Sequence, residues 1–96
     1  MTRDEALQHL RRFKSDNQIR YAIRRLGLFG SGARDTLTDR SDLDVVVELA
    51  EPDLFHLIGI KQDLEESLHC PVDVVRYRSD MNPFLKERID REAVYV

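Results

Sequence analysis

The chain has 96 residues, 42% of them hydrophobic and 34% charged, enough to bury one modest core and too few for a second domain of ordinary size. One domain over residues 1–96 is expected, with its site open at the surface and any large acceptor or lid supplied by a partner chain. A formal net charge of -3 argues against holding nucleic acid by a general excess of positive charge, so nucleic acid is not expected as a direct ligand.

In chain order, Thr2 is placed to cap a helix in which Ala6, Leu7, Leu10 and Phe13 recur at helical spacing. Asp4 and Glu5 fall in its first turn, where the helix dipole favours acids. That helix should end near Ser15-Asp16-Asn17, followed by a further helical turn or an extended segment through Ile19, Tyr21, Ala22 and Ile23. Arg11, Arg12, Lys14, Arg20, Arg24 and Arg25 gather in this first quarter, either as a local basic patch or, more simply, as solvated faces of the helix and its following loop. Charges from Arg3 to Arg20 leave no room there for a signal-peptide core, and no later stretch is long enough to span a bilayer.

Arg25-Leu26-Gly27-Leu28-Phe29 reads as a buried strand running into a tight turn at Gly30-Ser31-Gly32, with a short helix starting within Ser31 to Leu37. Leu43 to Leu49 is rich in β-branched residues and is the clearest strand. Pro52 and Asp53 open a helix whose Leu54, Leu57, Ile58, Leu64 and Leu68 should face the core, and Pro71 stops it. Val72-Asp73-Val74-Val75 reads as a third strand. Asn82-Pro83 starts a last helix using Phe84, Leu85 and Ile89, since proline suits the first helical position, and Ala93 to Val96 adds a short edge strand. Strands alternating with helices give an α/β domain. Cys70 has no second cysteine to pair with, which fits a reducing compartment and the cytoplasm as the default. His9, His56 and His69 lack the paired spacing of a zinc site, so packing or surface roles are expected.

Three carboxylates sit where strands are otherwise apolar. Asp42, Asp44 and Asp73 begin, or lie inside, the two most apolar strands, and a partly buried carboxylate must be solvated, paired or bound to a cation. Strand alternation sends Asp42 and Asp44 to one face with Cα atoms about 6.5 to 7 Å apart, so both can converge on one divalent ion. If the strand of Asp73 lies alongside, the cluster has enough oxygen ligands for one or two Mg²⁺ that also bind substrate phosphates. The competing reading makes Asp42 a turn cap, leaves Asp44 on a solvated sheet face and pairs Asp73 with Arg76 or Arg78.

Gly30-Ser31 at the end of a strand leaves backbone N–H groups and a hydroxyl free to receive phosphate oxygens. Gly30-Ser31, ten residues and then Asp42-Leu43-Asp44 give G-S-x10-D-x-D, which resembles the signature of the polymerase-β-like nucleotidyltransferases. The longer string from Leu28 to Asp35 and on through Ser41 to Asp44 resembles more narrowly the minimal nucleotidyltransferases, the MntA-type antitoxins of prokaryotic HEPN/MNT toxin–antitoxin systems. The likeness extends to the Val72-Asp73-Val74 strand and the closing segment from Asn82 to Tyr95. It implies a small mixed sheet of three to four strands flanked by helices, with Asp73 as the third carboxylate. Asp35 departs from the glycine that many members carry after the Ala-Arg pair. Aspartate tolerates a positive φ better than most side chains, and Arg34 either pairs with it or contacts the nucleotide.

The resemblance further implies an antitoxin that uses Mg²⁺, as two ions, to transfer AMP from ATP onto a tyrosine of a cognate HEPN toxin ribonuclease. Asp42, Asp44 and Asp73 would be metal ligands and catalytic groups, and Gly30, Ser31 and Arg34 would bind the nucleotide. Two alternatives stand beside it: an antitoxin that neutralises its partner by binding alone, and an enzyme of this fold with a small-molecule or nucleic-acid acceptor. A DNA-binding repressor is poorly supported by the acidic balance.

Overall fold

The structure, a computed structural model, describes residues 1–30 and 42–96. Helix α1 (Arg3–Asn17) leads into strand β1 (Ile23–Phe29), followed by β2 (Leu43–Leu49), helix α2 (Leu54–Leu68), β3 (Val72–Arg76), α3 (Pro83–Glu92) and the short β4 (Val94–Tyr95). The expected helix start within Ser31 to Leu37 lies outside the described residues.

Each helix begins where a side chain can satisfy its first unpaired amides. The Thr2 hydroxyl accepts from Glu5 N–H at 3.1 Å, Asp53 from Phe55 N–H at 2.8 Å, and Asn82 from Phe84 and Leu85 N–H at 3.0 and 3.1 Å. Between α1 and β1 the chain makes a turn, with Ala22 at φ 54°, and strand structure starts only at Ile23.

The sheet has the order β3-β2-β1-β4. β1 runs antiparallel to both β2 and β4, whereas β2 and β3 are parallel. A parallel pair needs a long crossover, and α2 provides it. The expected α/β domain with a small mixed sheet is therefore what forms.

Period-two alternation divides the sheet into two faces. Leu26, Leu28, Val45, Val47 and Val72 turn toward α1 and α2, where Ala6, Leu7, Leu10, Phe13, Ile60, Leu64 and Leu68 complete the main core. The opposite face carries Phe29 and Val46 and is covered by Met81 and α3's Ile89.

Three helical residues expected to face the core do not. Leu54, Ile58 and Phe84 are 69%, 44% and 82% exposed. The inward stripe of α2 runs through half-buried Leu57 and then Ile60, Leu64 and Leu68, leaving Ile58 about 100° around the helix from Leu57. Leu54 shares that stripe but belongs to the first turn, beyond the sheet's cover. In α3, Leu85 and Ile89, four apart, take the inward side.

Candidate active site

The two strand carboxylates are brought together by register. Asp44 pairs with Phe29 on β1 and with Asp73 on β3, so Asp44 and Asp73 stand side by side on adjacent strands. Because Leu43, Val45 and Val47 are taken into the main core, alternation turns Asp44 to the α3 face. Asp42, immediately before β2, is exposed, as is Asp73, while Asp44 is half-buried.

Gly30 closes this group from the end of β1. Its φ is +69°, a conformation that side chains rarely adopt, and a Cβ there would run into Oδ2 of Asp44. The backbone angle is what calls for glycine here, and any side chain at this position would also have to displace the Asp44 carboxylate. Ser31 and Arg34, the other expected nucleotide contacts, lie outside the described residues, as does Asp35.

Burial first, and the neighbouring Asp73 second, hold the Asp44 carboxyl above its ordinary value. Arg88 counters this, and Asp42 and Glu92 add to it. Asp42, Asp44 and Asp73 therefore share one electrostatic neighbourhood. Among the described residues, no three His, Cys, Asp or Glu side chains are grouped closely enough to hold a metal ion; the carboxylates are neighbours that have not converged on a common point. Arg78, considered as a partner for Asp73, meets Asp80 at 3.6 Å instead.

Arg88 and Glu92 were not expected at this site. Arg88 donates from Nε to Glu92 at 3.2 Å, and its guanidinium carbon lies 5.6 Å from the centre of the Phe29 ring. A terminal nitrogen stands 3.1 Å from where a Gly30 Cβ would be. The only clue in the sequence was helical spacing: with Ile89 turned inward, Arg88 and Glu92 flank the covered stripe.

Arg25 also departs from the solvated face expected for the early basic residues. It lies on the α3 side, paired with Glu48 at 2.9 Å and packed over Tyr95 and Tyr77 at 4.5 and 5.0 Å. A cleft of about 610 Å³ lies between the starts of α2 and α3 and the far part of β3, bordered by Leu54, Val75, Arg76 and Leu85. It includes none of the three carboxylates, and its mixed lining offers no comparable chemistry.

Comparison with known proteins decides the family. The nucleotidyltransferase domain family matches residues 8–96. The chain belongs to that family. It is 32% identical over 97 residues to the protein adenylyltransferase MntA of Thermococcus cleftensis, covering all of this chain and 97% of that relative. A candidate protein adenylyltransferase of Methanocaldococcus jannaschii is 42% identical over 79 residues, 81% of this chain and 84% of that relative. Among solved structures, a candidate minimal nucleotidyltransferase superposes with a TM-score of 0.78 at 34% identity, over 94% of this chain and 92% of that one. A toxin–antitoxin structure with AMP-PNP superposes at 0.76 with 25% identity, over 92% of this chain and 69% of that one.

As a minimal nucleotidyltransferase of the MntA type, this chain falls within the protein adenylyltransferases. The G-S-x10-D-x-D spacing reaches from Gly30, at the end of one strand, to the start of the antiparallel neighbour, which is why it brings Gly30 against Asp44.

Proposed function

We propose that this chain is an antitoxin that transfers AMP from ATP, with Mg²⁺, onto a tyrosine of a cognate HEPN toxin. The observation that carries the reading is the pairing of Asp44 with Asp73 on neighbouring parallel strands, directly beside the tight turn at Gly30. It is supported by the toxin–antitoxin relative that holds AMP-PNP and by the adenylyltransferase MntA that aligns along the whole chain.

Hard carboxylate oxygens suit a magnesium ion, which accepts a few carboxylates together with water and phosphate oxygens. Asp42, Asp44 and Asp73 would be its ligands. The ion supplies positive charge for the triphosphate and for an acceptor oxygen near the α-phosphorus.

The remaining work falls to the chain itself. Gly30 N–H and Ser31 hold the β- and γ-phosphates so that pyrophosphate leaves in line with the attacking hydroxyl. Asp73, exposed at the start of β3, faces the incoming acceptor and is a ligand first and a proton acceptor second. The acceptor tyrosine comes from the partner.

The test is to incubate the purified chain with labelled ATP, Mg²⁺ and the HEPN protein encoded beside it, then to measure the partner's intact mass. Stepwise gains of one AMP are expected, abolished in Asp42→Asn with Asp44→Asn. No mass gain by the partner, or full neutralisation by the folded double variant, would sink catalytic neutralisation in favour of simple binding.

A further inference from the structure

Nucleotidyl transfer would bring a highly anionic nucleotide up to three carboxylates. Metal ions neutralise part of that charge, and a fixed cation at the phosphate side would neutralise more. Among the described residues, Arg88 is the basic side chain that approaches both Gly30 and Asp44.

Its setting is that of a prearranged donor. Arginine has five N–H donors in a rigid plane. Nε–H is engaged by Glu92 at 3.2 Å, and the guanidinium carbon sits over the Phe29 ring, 5.6 Å from its centre, a face that attracts cations. One terminal nitrogen is thereby directed to the Gly30 turn. The next residue, Ile89, is fully buried, so the helix turn that carries Arg88 is anchored, while Arg88's own side chain remains 42% exposed and reachable. As a helix-surface ion pair alone, Arg88 with Glu92 would contribute little stability, and such a pair needs neither Phe29 nor Gly30.

We propose that Arg88 binds the β- and γ-phosphates of the incoming nucleotide beside Gly30, with Glu92 as the positioning residue that fixes its guanidinium. This rests on the nucleotidyl-transfer reading above and adds to it a phosphate-binding residue from α3. Guanidinium–phosphate contacts are charge-assisted and often two-pronged, which lysine cannot reproduce as well.

The experiment measures binding of Mg²⁺·AMP-PNP and of AMP to the full chain, with thermal melting of each variant alongside. Arg88→Ala should weaken Mg²⁺·AMP-PNP binding about tenfold or more, the usual scale for a lost charge-assisted contact, while AMP binding changes less than about twofold on the same scale. In turnover the loss should appear in KM for ATP more than in kcat. Arg88→Lys should recover only part of the affinity, and Glu92→Gln should show a smaller loss in the same direction.

If Arg88→Ala melts early, Arg88→Lys decides, since it keeps the stem and the charge. A variant that melts like the wild type and binds Mg²⁺·AMP-PNP equally well overturns the assignment of Arg88 and leaves nucleotidyl transfer intact. A wild-type chain that binds no Mg²⁺·AMP-PNP overturns both.

Discussion

Asp44 concentrates the conflict between folding and chemistry in one side chain. Its carboxyl is held above its ordinary value by burial and by Asp73, so the folded chain binds that proton more tightly than the unfolded chain does. By linkage, stability falls as pH rises from the ordinary value of 3.8 through the raised one, and above that window the ionised group remains a cost to the fold. Asparagine has no charge to bury. Asp44→Asn is therefore expected to melt higher than the wild type at pH 7 in a chelating buffer, the gain shrinking as pH falls through the raised value and vanishing below the ordinary one of 3.8. Melting curves that coincide at neutral pH would contradict this account of Asp44.

At the scale of elements, much was legible because the signals are local. Thr2, Asp53 and Asn82-Pro83 open helices as their side chains and ring suggest, and the β-branched run of β2 became a strand. The first turns of α2 and α3 were less legible, because exposure of Leu54 and Phe84 depends on what lies across from them. Arg88 was illegible for the same reason: only the packing of α3 over the end of β1 brings it to Gly30. The junction of α1 with β1 is held differently, by a hydrogen bond from the Tyr21 hydroxyl to Asp63 of α2 at 2.6 Å. Burial first, then Asp63, push the Tyr21 hydroxyl above its usual 10.0. The protonated form is the one that the fold favours, so its contribution is intact below that pH and declines as pH rises beyond it. Tyr21→Phe should melt lower at pH 7, by about 1 kcal/mol for a lost hydrogen bond, and should lose less stability than the wild type above pH 10. An identical alkaline slope in both proteins would show that another group governs it.

For the molecule as a whole, the two faces of the sheet are unequally covered. The main core draws on both long helices, whereas the site face depends on α3, seated through Ile89 against Phe29 and Val46. The site therefore rests on the thinner layer. Ile89→Ala should cost about 2 to 4 kcal/mol, and the loss should be felt locally first. Hydrogen exchange is expected to quicken in Pro83–Glu92 well before α1, with nucleotide affinity declining in step. Uniform acceleration through both helices would mean that the two layers melt as one cooperative unit.

The alignment of Asp44 with Asp73 has one more consequence. The pair is set by a parallel register across the α2 crossover, and side chains in a strand alternate, so a slip of β3 by one residue would turn Asp73 into the oily layer beneath α2 and lift fully buried Val72 toward water. Such a chain would be expelled from the folded population by its own core. Parity thus acts as a proofreader: a molecule that folds at all has already put its two charges in step.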